Sequence, residues 1–76
     1  MWIKHNNALY NASDISKIEV KRTKLYATFK NGDVVIIGEF RAMKECQDIL
    51  RSLANALLTE DPDHPGVIIR DTKVKK

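Results

Sequence analysis

The chain has 76 residues, of which 43% are hydrophobic, and a formal net charge of +3 from thirteen basic and ten acidic side chains. This length predicts one domain, near the lower limit for a chain that folds on its hydrophobic core alone. Cys46 is the only cysteine, which excludes an internal disulfide, and neither histidine has the spacing of a structural zinc site. Oligomerisation is therefore the remaining way for so small a core to gain stability.

The first residues and the apolar runs predict a cytoplasmic protein with no membrane association. Residues 1–7 become polar too early for a signal peptide. The longest apolar run, residues 34–37, is far shorter than a membrane span. A single free cysteine also fits a reducing compartment.

In chain order, the first predicted element is a short hairpin, in which residues 2–4 and 8–10 flank an Asn-Asn pair at residues 6–7. A strand over residues 18–20 follows. The apolar pattern goes out of phase just before it, which predicts a bulge near residues 16–17.

The connection at residues 21–24 fits either a two-residue or a four-residue loop. Both lengths pair Val20 with Leu25 and Ile18 with Ala27. The same side chains face the core in either case, so the strand before the loop is predicted independently of this choice.

Asn31-Gly32, between two β-rich runs, is the strongest local signal. This dipeptide favours a type I′ turn, in which both central residues take positive φ. The turn pairs Phe29 with Val34, and alternation then defines two faces of the sheet. The face predicted to form the core carries Leu25, Ala27, Phe29, Val34 and Ile36. The opposite face carries Tyr26, Thr28, Val35 and Ile37, and is less polar than a surface in contact with water.

Residues 41–58 change to the period of an amphipathic helix, which Pro62 and Pro65 terminate. No Ser, Thr, Asp or Asn stands at the expected N-cap, so its first residue is not defined. The apolar stripe of this helix consists of Ala42, Met43, Cys46, Ile49, Leu50, Leu53 and Leu57.

The last segment begins with a rigid turn at residues 61–66 and continues with the apolar residues 67–69. These are too apolar for a free end, so we expect them to form a strand on their own sheet or on that of a neighbour. The predicted fold is α+β: an antiparallel β-meander of four to five strands in a domain over residues 1–60, one helix on one face, and a C-terminal extension, residues 61–76. The predicted core is Ile18, Val20, Leu25, Ala27, Phe29, Val34, Ile36, Phe40, Met43, Leu50, Leu53 and Leu57.

The patterns of known catalytic sites are missing from the sequence. No serine belongs to a nucleophile motif, three scattered glycines make no phosphate-binding loop, and the acidic residues alternate with basic ones. We therefore expect a protein that is not an enzyme, with no catalytic residues, cofactor or metal.

Three features have both a functional and a structural interpretation, and the structural one is preferred for each. Cys46 lies on the apolar stripe and is expected to be a small buried hydrophobe and not a reactive thiol. Asp61, Asp63 and His64 are expected to form a plain turn and not a metal site. Trp2 and Tyr10 are expected to close one end of the core, the alternative being an anchor for a partner.

The basic loop, with Lys21, Arg22 and Lys24, and the basic residues 73–76 are the candidates for nucleic-acid contact. No nucleic-acid motif accompanies them, and a solvated hairpin tip and a frayed chain end are the preferred explanation. We expect no binding at physiological salt. Convergence of the loop, the tail and Lys17 on one face, with Asp14 and Glu19 turned away, would strengthen the alternative, and interleaved charges would weaken it.

Self-association is predicted through the second face of the sheet and the C-terminal segment. One helix cannot cover both faces, and the last strand of the meander has an edge that needs a partner. The tail would cover this edge within one chain or, preferred here, as an exchanged strand in a symmetric dimer. The candidate residues are Tyr26, Val35, Ile37, Val67, Ile68 and Ile69.

Residues 1–58 resemble a group of short, uncharacterised bacterial and phage-associated β-meander-plus-helix proteins. The resemblance is carried by the Met1-Trp2-Ile3 start, the Phe29–Gly32 hairpin, the apolar run at residues 34–37 and Phe40 before the helix. It implies a fold and no activity, ligand or catalytic residue. The sequence thus predicts a small non-catalytic protein-interaction module acting as a homo-oligomer, with a nucleic-acid-associated accessory protein as the alternative.

Overall fold

The computed structural model describes residues 1–59 and 66–73. Within them the chain forms six strands and one α-helix, so the predicted α+β class is confirmed. The helix, α1, spans Met43–Thr59, close to the predicted residues 41–58. The strands are β1 (Trp2–His5), β2 (Ala8–Asn11), β3 (Ile15–Lys21), β4 (Lys24–Phe29), β5 (Val34–Glu39) and β6 (Gly66–Ile69). No helix in this part of the chain is long and apolar enough to cross a membrane.

The first sheet has the strand order β2-β1-β6. The predicted Asn-Asn hairpin is confirmed: His5 pairs with Ala8, and Asn6 takes the positive φ of 54° that such a tight turn needs. The C-terminal segment forms a strand of its own chain, but it runs parallel to β1. The expectation that it covers the edge of the last meander strand is therefore wrong.

The second sheet is the meander β3-β4-β5. Its first connection is the two-residue loop Arg22-Thr23, and the predicted pairs Val20–Leu25 and Ile18–Ala27 are both present. The register shifts between Ile15 and Lys17, which confirms the predicted bulge.

The second connection of the meander differs from the prediction. Asn31 is not at positive φ, and only Gly32 is, at 97°. The Asn31 side chain accepts a hydrogen bond from the Asp33 N–H (2.9 Å), and Phe29 and Asp33 close a three-residue loop. Such a loop is the usual hairpin alternative to the type I′ turn.

This longer loop moves the register by one residue over the first part of β5 and exchanges its two faces there, until a second register shift between Leu25 and Tyr26 brings Gly38 opposite Leu25. Thr28 pairs with Val34 and Ala27 with Val35. As a result Val34 is 60% exposed, whereas Ile37 is completely buried. The predicted core positions Val34 and Ile36 are therefore wrong, because a one-residue slip turns every side chain to the other face.

The core lies between the two sheets and the helix. Leu25, Ala27, Phe40 and Leu53 are buried as predicted, and Phe29, Ile18, Val20 and Leu50 are partly buried against them. Met43 and Leu57, predicted to be in the core, are exposed. Leu57 lines an open groove of about 300 Å³ between α1 and β3. The core also contains Ile3, Ala12, Ile37, Cys46 and Ile69.

Gly38 is buried beneath the Phe40 ring, where a Cβ atom would lie 2.7 Å from Phe40 Cε2. The absence of a side chain at Gly38 thus lets Phe40 fold back onto β5. Tyr10 and Phe29 pack together across the two sheets with ring centroids 5.7 Å apart. Tyr10 therefore helps to close the core, as expected.

Candidate interaction surfaces

The outer side of the first sheet carries three large apolar side chains exposed to solvent. Trp2 is 47% exposed, and Leu9 and Ile68 are each 62% exposed. Lys4 lies between Leu9 and Ile68, because it pairs with both across the sheet. Trp2 is the next outward residue on β1. We call Trp2, Leu9 and Ile68 the apolar face.

The inner side of the same sheet explains why these residues point outward. Ile3, His5 and Ile69 alternate with them along β1 and β6 and are buried against the core. The expectation that Trp2 closes the core is therefore wrong. The outward orientation of Leu9 could have been predicted from the sequence. Neighbouring residues of a strand point to opposite faces, and Tyr10 was expected to face the core.

The structure does not bring the six predicted self-association residues onto one surface. Ile37 and Ile69 are buried, and Val35 and Val67 are partly buried against the core. Placing Val35 and Ile37 on the face away from the helix is therefore wrong, because of the shifted register. Two candidates remain accessible: Ile68 on the apolar face, and the half-buried Tyr26 on the outer side of the second sheet.

The three predicted nucleic-acid contacts do lie together. Lys21, Arg22 and Lys24 line a concavity of about 470 Å³ at the β3–β4 loop, together with Thr23, Tyr26 and Lys73. The tail contributes Lys73 because the backbone of residues 72–73 hydrogen-bonds to the Glu39 carbonyl oxygen. We call this site the basic concavity.

Acidic side chains partly neutralise the basic concavity. The Glu19 Oε1 atom lies 3.4 Å from Lys17 Nζ and 3.5 Å from Lys21 Nζ. The Lys24 Nζ atom lies 3.9 Å from Glu39 Oε1. Burial tends to raise the pKa of Glu19, but the two lysines outweigh it and hold that pKa below its ordinary value of 4.5. On the outer face of the second sheet, positive and negative side chains thus alternate, and Glu19 lies between Lys17 and Lys21. At the β3–β4 loop, by contrast, the positive side chains lie together.

A buried polar cluster joins β1, β5 and the tail. The Asp71 Oδ1 atom accepts hydrogen bonds from His5 Nε2 and from the Glu39 N–H, both at 2.8 Å. A carboxylate only accepts, so His5 carries a proton on Nε2. Burial tends to raise the pKa of Asp71, but these bonds and the His5 charge lower it to below its ordinary value of 3.8. Thr72 extends the cluster by accepting from the Arg41 N–H (3.0 Å) and donating to Glu45.

Cys46 is completely buried on the helix, and burial raises the pKa of its thiol above the ordinary value of 9.0. Both properties suppress the thiolate that reacts with electrophiles. We expect a disulfide reagent such as dithiobis(nitrobenzoate) to label Cys46 no faster than the native protein unfolds. Labelling rates measured with increasing urea should follow global unfolding. Rapid stoichiometric labelling without denaturant would contradict this expectation.

The remaining sequence candidates concern a metal site. Asp61, Asp63 and His64 lie outside the described residues. Within residues 1–59 and 66–73, no group of three or more His, Cys, Asp or Glu side chains is placed to hold a metal ion.

Comparisons of the chain with family models, with curated proteins and with solved structures found no match. The resemblance to short phage-associated proteins therefore stays a prediction.

Proposed function

We propose that the protein is a small non-catalytic interaction module that associates with a second copy of itself through the apolar face. The observation that carries this proposal is the exposure of Trp2, Leu9 and Ile68 on one side of a single three-stranded sheet. Isolated exposed apolar residues are ordinary, but three large ones on one side of a small sheet, with only Lys4 between Leu9 and Ile68, favour a protein partner.

The arrangement of Lys4 and Trp2 supports a second copy as that partner. Both point outward from β1, two residues apart. If two copies pack face to face with their β1 strands antiparallel, a two-fold axis near residue 3 places each Lys4 over the Trp2 ring of the other copy. A lysine over an indole face is attractive, and the contact is made twice.

The size of the apolar face predicts weak association. Its three residues, together with Lys4 between them, lie on three four-residue strands, which cover a patch about 13 Å long and about 14 Å wide. A standard interface buries about 800 Å² on each partner, so this patch alone falls well short of that area. We therefore expect a dissociation constant on the order of 10–100 µM.

Light scattering coupled to size-exclusion chromatography, and sedimentation velocity, test the proposal from about 5 to about 500 µM protein. We expect the average mass to rise from monomer to dimer over this range. Leu9→Lys and Ile68→Lys should each keep the protein monomeric, because they introduce like charges into the centre of the contact. A wild-type protein that is monomeric at the highest concentration would overturn the proposal.

Val34→Lys is the matched control. Val34 is 60% exposed, as Leu9 and Ile68 are, but it lies on the second sheet. This variant should dimerise as the wild type does. Equal loss of dimer in all three variants would mean that added charge, and not the apolar face, controls association. Circular dichroism of each variant checks that the fold is retained.

A further inference from the structure

We propose that the basic concavity is a second binding site, for the backbone and bases of a single-stranded nucleic acid. This inference is independent of self-association, since the concavity lies on the second sheet and the apolar face on the first.

The first argument is the concentration of positive charge. Lys21 and Lys24 stand directly opposite each other in the β3–β4 ladder, with Arg22 in the loop between them and Lys73 brought in from the tail. Like charges directly opposite in a sheet are unfavourable. An anion bound among them would relieve this repulsion.

The second argument is that two of these cations have no acidic partner among residues 1–59 and 66–73. Neither Arg22 nor Lys73 forms an ion pair within the described residues. Lys21 and Lys24 do have carboxylate partners, but their Nζ atoms lie 3.5 and 3.9 Å from the carboxylate oxygens of the partly buried Glu19 and Glu39. Such surface pairs contribute little to stability, so a phosphate can replace them.

The third argument is the aromatic ring in the same concavity. Tyr26 is one of its lining residues, and the Lys21 ammonium lies over this ring, 5.7 Å from its centroid, so a base that stacks on this face must move Lys21 aside. Cations along a groove beside an aromatic surface on which a base can stack are the two requirements for binding single strands. The volume of about 470 Å³ exceeds that needed by an isolated phosphate and suits a nucleotide unit.

Fluorescence anisotropy with a labelled oligothymidylate and a labelled oligouridylate tests the proposal at low protein concentration, where self-association is negligible. If the four cations contact phosphates, affinity should fall about twentyfold between about 50 and about 150 mM salt, since each contact contributes about 0.7 to the logarithmic slope. Binding is therefore expected at the lower salt concentration and little at the physiological one. No binding at about 50 mM salt would overturn the proposal.

Four variants make the test specific. Arg22→Gln combined with Lys73→Gln should reduce the salt effect to about fivefold, because two contacts remain. Lys30→Gln is the matched control: Lys30 lies in the other hairpin loop, about 20 Å away along β4, and its loss should leave affinity nearly unchanged. Glu19→Gln should increase affinity, because it frees Lys21 and removes a negative charge. Tyr26→Leu should weaken binding and leave the salt slope unchanged.

Three results would contradict this assignment. An equal loss of binding free energy per removed charge in Lys30→Gln and in the double variant would show only diffuse attraction to positive charge. Displacement of the oligonucleotide by inorganic phosphate at an equal concentration of phosphate groups would indicate a simple anion site. Stronger binding to vesicles of phosphatidylserine than to either oligonucleotide would indicate a lipid surface as the ligand.

Discussion

Replacement of Ile37 by alanine is expected to lower the free energy of unfolding by about 2–5 kcal/mol, the usual cost of emptying a fully buried aliphatic site. Ile37 has no exposed surface and belongs to the core. A domain of this size has about 4–11 kcal/mol of total stability, so this one change can bring it close to unfolding. Urea titration followed by circular dichroism measures the difference.

Val34→Ala on the same strand is the matched control, because Val34 points to the outer side of the sheet. It should change the free energy of unfolding by less than about 0.5 kcal/mol, as surface substitutions usually do. The two-residue turn expected from Asn31-Gly32 requires the opposite order, with Val34 buried and Ile37 on the surface. A greater loss for Val34→Ala than for Ile37→Ala would therefore refute the register of β5.

The two loops of the meander show why sequence located one register and missed the other. At the β3–β4 connection, either loop length keeps Val20 opposite Leu25, so the prediction did not depend on loop geometry. At the β4–β5 connection, register depended wholly on the number of loop residues. There the Asn31 side chain accepts a hydrogen bond from the Asp33 N–H, and this local bond favours the three-residue loop. Such competition between side chain and backbone is not visible in a propensity pattern.

The tail shows a second limit. Its apolar residues indicate that it must pack somewhere, and Ile69 is indeed buried. Its partner strand is β1, more than 60 residues earlier in the chain, in a parallel arrangement. Nothing in the local pattern selects β1 over β5, because both edges need a partner before the tail arrives. Tertiary contacts decide the choice.

The candidate sites follow the same division. The three loop cations of the basic concavity could be predicted from the sequence, because they are neighbours in the chain. It did not place Lys73 beside them, which depends on the hydrogen bonds that residues 72–73 make to Glu39. The apolar face likewise combines the N-terminal hairpin with the tail strand. Only Ile68 of its three residues was a candidate for self-association before the β1–β6 pairing was known.

The buried pair His5–Asp71 leads to the second large expected effect, on the attachment of the tail. Asp71→Ala should lower the free energy of unfolding by about 2–4 kcal/mol, because hydrogen bonds to a charged group contribute about 1.5–3 kcal/mol each and are not additive. It leaves both His5 Nε2 and the Glu39 N–H without their common acceptor. Urea titration at neutral pH measures the loss.

Acid should remove the same stabilisation from the wild type. The pKa of Asp71 is lower in the folded chain than its ordinary value of 3.8, so the folded state favours the ionised carboxylate. Its contribution is therefore complete above about pH 4–5 and is lost as the pH falls through the lower, folded-state pKa. Asp71→Asn keeps an oxygen that accepts both hydrogen bonds but cannot ionise. With His5→Gln present in both proteins, so that no imidazole titrates beside it, the Asp71→Asn protein should lose less stability between neutral pH and about pH 3 than the one that keeps Asp71. Glu19, whose pKa is also lowered, is present in both proteins and cancels in the comparison. Equal losses in the two proteins would show that Asp71 does not hold the tail through its charge.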